Sequence, residues 1–251
     1  MRNLGHGLCI DLFKYYRSNK LLINEDGKIR YRIDKAFSFL FIYKSFLPYL
    51  SLISNGALKL YLYFGINCDY KNGYLSTSMN KLSLSLAVKV VTLRRWIKEL
   101  QHLNLVYCQR QISGELSVQI TPYGYEKEKK VSSTQLSNNY TQWVRNQKTK
   151  VNNKLDDPFF IITPEIINMW DEINNIGALK LYLYCGLTMN KETGFTYRSL
   201  PTIGKDLSCC KKTLTEWFTD LESIGLIYRH KRGRNLSCCT HVLFPGQVKA
   251  R

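Results

Sequence analysis

Apolar residues fall at helical spacing twice along this chain. Leu93, Trp96, Ile97 and Leu100 recur at intervals of three, four and seven, and Leu214, Trp217, Phe218 and Leu221 do the same. Each set makes one apolar stripe on an amphipathic helix. After each come two short apolar-rich runs around a polar tip, 105–110 with 116–120 and 226–229 with 238–244. These read as β-hairpins. Before each stripe lies a shorter helix-like stretch, 78–84 or 200–206, set off by a tight break at Leu86-Ala87 or Leu207-Ser208. Further upstream, the block Ala-Leu-Lys-Leu-Tyr-Leu-Tyr has more apolar positions than strict alternation allows. It predicts a buried helix closed by Gly65 in one place and Gly186 in the other. A glycine-containing turn follows it, Asn72-Gly73 or Thr193-Gly194, and an extended apolar run ending in proline, 160–164, leads into the second set.

The two sets are one pattern repeated. Residues 56–63 recur letter for letter as 177–184, and sliding 56–107 onto 177–228 at an offset of 121 gives 18 identities in 52 positions without a gap. Among them are Gly65/Gly186, Gly73/Gly194, Leu86/Leu207, Trp96/Trp217, Leu100/Leu221 and Tyr107/Tyr228. Such a period is far above the roughly 20–50 residues of a solenoid repeat and matches one small domain. The expected fold is therefore α+β, mainly α, with two tandem winged helix-turn-helix domains, each of three helices and a β-hairpin. The division that follows is a basic N-terminal arm over 1–34, domain one over 35–125, a polar linker over 126–157 and domain two over 158–246. The linker carries seven basic and four acidic residues among Asn, Gln, Ser and Thr, a composition that buries little surface. Trp143 and Val144 within it hint at a short docking helix.

Charge sharpens the picture. Thirty-six Lys+Arg against nineteen Asp+Glu leave a formal +17, with an isoelectric point near 9.5, a balance suited to a polyanionic partner. Asp11 and Lys14 interrupt the apolar run from Leu8, so no secretory signal is expected. The apolar stretch 36–54 is broken by Lys44 and Pro48 and falls short of the ~20 residues a span needs. A cytoplasmic, nucleoid-associated protein without a membrane partner is the expectation. The eight cysteines include the adjacent pairs Cys209-Cys210 and Cys238-Cys239 but no C-x-x-C, so they read as reduced thiols, mostly small buried hydrophobes. The histidines His6, His102, His230 and His241 show no metal-ligand spacing, and no phosphate loop or nucleophile motif occurs. No enzyme, cofactor or metal is expected.

In a helix-turn-helix the second helix lies in the major groove, and its DNA face is the one opposite its apolar stripe. In copy one that face offers Lys89, Arg94, Arg95 and Lys98; in copy two it offers Lys211, Lys212 and Thr215, with Glu216 beside them. Arginine can grip guanine with two hydrogen bonds, and lysine or threonine can hold phosphates. The second hairpin adds Arg229, Lys231, Arg232 and Arg234 around Gly233, a basic tip suited to a phosphate backbone or a minor groove. The first hairpin has Gln109-Arg110-Gln111-Ile112-Ser113-Gly114-Glu115 in that place, which is nearly neutral. The two heads are therefore expected to share the work unequally, copy one through its helix and copy two through helix and wing. Most of the seventeen tyrosines read as packing residues.

The run Ile203-Gly204-Lys205-Asp206-Leu207-Ser208-Cys209-Cys210-Lys211-Lys212-Thr213-Leu214, with Trp217, Leu221 and Gly225-Leu226-Ile227, resembles the helix-turn-helix core of bacterial winged-helix proteins. It is most similar to DnaD-like and plasmid or phage replication-initiator modules of low-GC Gram-positive bacteria. The resemblance covers each repeat, about two thirds of the chain. It implies that Cys210 stands where serine usually caps the reading helix and that Lys211 and Lys212 face DNA. Copy one departs from it, with Lys89 at the cap and Val90-Val91 after it. The implied function is a sequence-specific double-stranded DNA-binding protein, a plasmid- or phage-type replication initiator on origin repeats, acting as a two-headed monomer or a homodimer. Replication or transcription proteins would be further partners. A transcriptional regulator on promoter DNA shares these contacts, and a non-enzymatic protein-interaction scaffold is the reading from another class.

Overall fold

The computed structural model describes residues 22–24, 29–31, 40–69, 72–121, 138–143, 159–173, 175–190, 194–231 and 238–243. Among these the fold is α+β with helix predominating. The chain divides into two compact units, Phe39–Thr163 and a second made of Met1–Ser38 with Pro164–Arg251. Strands β1 (Leu22–Asn24) and β2 (Ile29–Tyr31) pair antiparallel, Leu22 opposite Tyr31. Among the described residues no helix is long and apolar enough to cross a membrane.

The unit Phe39–Thr163 opens with β3 (Leu40–Tyr43), followed by a 3-10 turn (Lys44–Phe46) and α1 (Leu47–Leu52), which has Pro48 in its first turn. Proline suits a helix start because its missing N–H has no intrahelical partner there. Ser54 then caps α2 (Asn55–Asn67), its hydroxyl accepting the Ala57 N–H. Every residue of α2 from Gly56 to Leu62 is buried, as are Phe64, Gly65 and Ile66. A helix apolar on all sides is a core helix, and the rest of the unit is laid around it. Tyr61 stacks on the fully buried Phe46 ring at 5.2 Å.

A short strand β4 (Tyr74–Thr77) leads to α3 (Met79–Leu86), capped by the Ser78 hydroxyl on the Lys81 N–H, and then to α4 (Val90–His102). Between these helices Ala87 takes a left-handed φ of 52°, and the Val88 N–H returns to the Ser83 carbonyl. Strands β5 (Val106–Arg110) and β6 (Leu116–Ile120) complete an antiparallel sheet of order β4-β6-β5. Residues 138–143 form a further short helix, α5. Its Tyr140 ring lies where a Cβ on Gly73 would stand, at 2.9 Å, and Trp143 meets Tyr43 edge-on at 5.1 Å. Strand β7 (Phe159–Ile162) pairs antiparallel with β3, Leu40 opposite Ile162 and Ile42 opposite Phe160, all four buried. This unit thus takes in residues from the polar stretch 126–157 and the strand at the head of the second repeat.

The second unit follows the same order. After α6 (Pro164–Asn168) and a 3-10 turn (Met169–Asp171) come α7 (Ala178–Thr188), β8 (Phe195–Thr196), α8 (Leu200–Leu207), α9 (Lys211–Ser223), β9 (Ile227–Lys231) and β10 (Cys238–Val242). Its sheet runs β8-β10-β9. Ser199 caps α8 through the Thr202 N–H as Ser78 caps α3, and Ser208 has φ 53° where Ala87 has 52°. Tyr182 of α7 donates its hydroxyl to the Leu243 carbonyl at 2.8 Å, and Tyr184 donates to Asp206 Oδ2 at 2.6 Å. These bonds fasten the core helix to the sheet end and to α8.

Two details differ from the reading of the sequence. The core helices do not stop at Gly65 and Gly186 but run through them to Asn67 and Thr188. At Gly65 the reason is packing: a Cβ there would stand 2.4 Å from Leu40 of β3. Each hairpin also gains a third strand, β4 or β8, on its β6 or β10 edge. These strands, of four and two residues, are too short for a period-2 pattern to stand out between a turn and a helix cap.

Candidate nucleic-acid interface

Helix α4 has two faces set by its sequence. Leu93, Trp96, Ile97 and Leu100 are buried, while Val91, Arg94, Arg95, Lys98 and His102 are exposed. The exposed five fall at intervals of three, four, seven and eleven, so they share one side of the helix. Two contacts hold the helix in place. Trp96 lies against α2, where a Cβ on Gly56 would stand 2.0 Å from the indole. The Glu99 carboxylate accepts both the backbone N–H and the hydroxyl of Ser54, the latter at 2.7 Å. The cationic face is thereby presented outward from an anchored helix. Lys89 stands at the N-cap in an extended conformation, exposed, with no side-chain cap bond.

The matching face of α9 is Lys212, Thr215, Glu216, Thr219 and Ser223, all exposed, and Lys211 is exposed next to it. Trp217 occupies the place of Trp96, 2.3 Å from where a Cβ on Gly177 would be. The charge differs. Three cations line the α4 face, whereas Lys212 and Glu216 cancel on α9. The Thr215 hydroxyl donates to the Lys211 carbonyl at 2.9 Å and the Thr219 hydroxyl to the Thr215 carbonyl at 3.0 Å, leaving both oxygens able to accept but not to donate freely. Cys210 is the N-cap in an extended conformation, its sulfur 3.2 Å from the Thr213 hydroxyl. That hydroxyl, with nearby backbone N–H groups, pulls the thiol below its ordinary range. Burial does the opposite elsewhere, pushing Cys68, Cys108 and Cys185 up to about 12.

The hairpins are unequal too. The first tip turns at Gly114 with φ 82°, and Ile112 is fully exposed on it. Glu115 there accepts the Ser76 hydroxyl at 2.8 Å. On the second, Arg229 does not reach outward as expected: its guanidinium carbon sits 3.7 Å above the Phe218 ring, and its buried Nε has no hydrogen-bond partner. A cation over an aromatic face is attracted by the ring quadrupole, so this arginine braces α9 against β9. The Lys231 side chain, Arg232 and Arg234 lie outside the described residues.

One grouping went unseen in the sequence. In the β9–β10 register Cys239 stands opposite His230, and His241 opposite Tyr228. His230, Cys239 and His241 each bring a ligand atom within 4.8 Å of the others. His241 and Cys239 are buried, and Phe195 packs on the His241 ring at 3.7 Å. Burial first, then the neighbouring His230, pushes the His241 imidazole down to about 4. The spacing of His230 and Cys239 about the tip was a usable signal, but only once both strands and their register were known.

The elements and their exposed side chains define a mainly helical α+β protein with a cationic helix face. No family model matches the sequence, and no curated protein matches it either. Among solved structures the chain is similar to the Pi initiator protein in complex with iteron DNA. The identity is 10%, the TM-score is 0.39, and the match covers 82% of this chain and 98% of that one.

Proposed function

We propose that the protein is a sequence-specific double-stranded DNA-binding protein with two winged helix-turn-helix heads derived from one duplicated domain. In this reading α3 and α4 form the first helix-turn-helix, with Ala87 in the turn, and β5–β6 form its wing. Helices α8 and α9 and strands β9–β10 do the same in the second. The observation that carries it is the exposed face of α4, where Arg94, Arg95 and Lys98 stand together opposite a buried stripe. Arginine and lysine so placed suit base edges and phosphates in a major groove. The +17 charge supports binding to a polyanion at large. Two heads in one chain fit adjacent repeats, so the role we favour is replication initiation at origin repeats.

The test is selection of bound fragments from a random duplex library by the full-length protein at physiological salt. Recovery of two spaced half-sites supports the two-headed reader. Recovery of sequence-blind, salt-sensitive binding alone overturns it. Melting of an origin carrying the selected sites then separates an initiator from a promoter-binding regulator, which would protect its site without opening it.

A further inference from the structure

We propose that His230, Cys239 and His241 form a zinc-type transition-metal site on one face of the β9–β10 hairpin. One imidazole nitrogen from each histidine and the Cys239 thiolate would be the ligands, with the fourth position open to water. The placement follows from the strand register. Cys239 and His241 are two residues apart on β10 and so share a face; His230 is directly across from Cys239 on β9. The three ligand atoms lie within 4.8 Å of one another and the two imidazole centres 5.1 Å apart. A tetrahedral zinc with bonds of ~2.0–2.3 Å sets its ligand atoms roughly 3.3–3.6 Å apart, so small side-chain rotations close the set.

A second observation points to a ligand. His230 Nδ1 and His241 Nε2 are both buried with no hydrogen-bond partner, although buried polar atoms in folded proteins are nearly always satisfied. Around them stand Phe195 and Tyr228, whose ring faces offer nitrogen no conventional acceptor. Two orphaned imidazole nitrogens, on histidines that each bring a nitrogen within 4.8 Å of the Cys239 sulfur, are poorly explained as core packing. They are the mixed nitrogen–sulfur donor set that zinc takes. On binding, the Cys239 S–H bond breaks, its sulfur bonds the metal, and the proton leaves to solvent. The metal would join β9 to β10 at the His230–Cys239 pair.

The test uses the full-length chain, stripped with chelator and titrated with Zn2+ against a chromophoric competitor, and separately with Co2+. One equivalent per chain is expected, with a thiolate-to-cobalt charge-transfer band in the near ultraviolet and tetrahedral d–d bands in the visible. His230→Ala and Cys239→Ala should each weaken Zn2+ binding on the order of 100-fold or more, since even loss of an outer-shell partner costs about 10–100-fold. Cys238→Ala and Cys210→Ala should keep both binding and spectrum. Because His230 is partly exposed, its variant is the safer one for folding, checked by circular dichroism. Zn2+ should raise the melting temperature of the wild type and leave that of His230→Ala unmoved. Absence of stoichiometric uptake, or a charge-transfer band that survives Cys239→Ala, overturns the site.

Discussion

Gly56 and Gly177 are glycine because an indole fills the space a side chain would need. Each opens a core helix, and each lies beneath the tryptophan of the helix that carries the exposed face. The pairs Gly56/Trp96 and Gly177/Trp217 are identities of the internal repeat, so an apparently local motif is half of a contact spanning forty residues. Gly56→Ala should destabilise by about 1–3 kcal/mol, the usual cost of overpacking, read as a lower urea midpoint. Gly114→Ala, with nothing within 4 Å of its Cβ, meets no clash and changes only its left-handed turn. The cysteines divide just as sharply by surroundings. Thiolate is the reactive form, and burial holds Cys68, Cys108 and Cys185 at about 12 while Cys210 is exposed and lowered. Brief maleimide treatment at neutral pH, mapped by mass spectrometry, should label Cys210 first and leave those three intact. Labelling of Cys185 ahead of Cys210 would contradict the packing of α7.

Among elements, the turns between paired helices are the most specific feature. Ala87 and Ser208 hold left-handed backbone at φ 52° and 53°, a region that costs a non-glycine residue roughly 1–2 kcal/mol. Ala87→Gly relieves this, and the extra freedom of glycine in the unfolded chain offsets about 0.4–1 kcal/mol of the gain. A net rise in stability of about 0.5–1 kcal/mol is expected in denaturant melts. The exposed faces of α4 and α9 differ in a way that bears on the proposed DNA binding. Arg94→Ala and Arg95→Ala should each weaken specific binding by ~1–3 kcal/mol if each reads a base, measured by fluorescence anisotropy on the selected duplex. Lys212→Ala should weaken binding less and leave sequence preference unchanged, since Glu216 already offsets its charge. Equal effects at all three positions would mean that α4 holds phosphates rather than bases.

For the molecule as a whole, charge would set how the proposed DNA binding responds to salt. Each phosphate neutralised contributes about 0.9 to the slope of log K against log salt. Changing Lys231, Arg232 and Arg234 together to Ala should flatten that slope by up to about 2.7 and weaken binding to all duplexes alike. An unchanged slope would remove these three residues from the proposed interface.

The helices were legible in the sequence because an amphipathic helix writes its buried stripe every three to four residues, as Leu93, Trp96, Ile97 and Leu100 do. The repeat was legible because identity at a fixed offset needs no structure, and the hairpins because a polar stretch separates two apolar-rich runs. Strand β4 was not, being four residues without a clear period. Nor was the β3–β7 pair, whose partners are more than a hundred residues apart and meet only because each has an apolar face to cover. The sequence alone therefore determined the local elements, their order, the repeat at a fixed offset and the excess of positive charge, all of which depend on near neighbours or simple counting. Only the tertiary structure decided that Arg229 folds onto Phe218 and that His230, Cys239 and His241 converge. Those contacts depend on strand register and helix packing, and a one-residue slip in register would send every side chain to the opposite face.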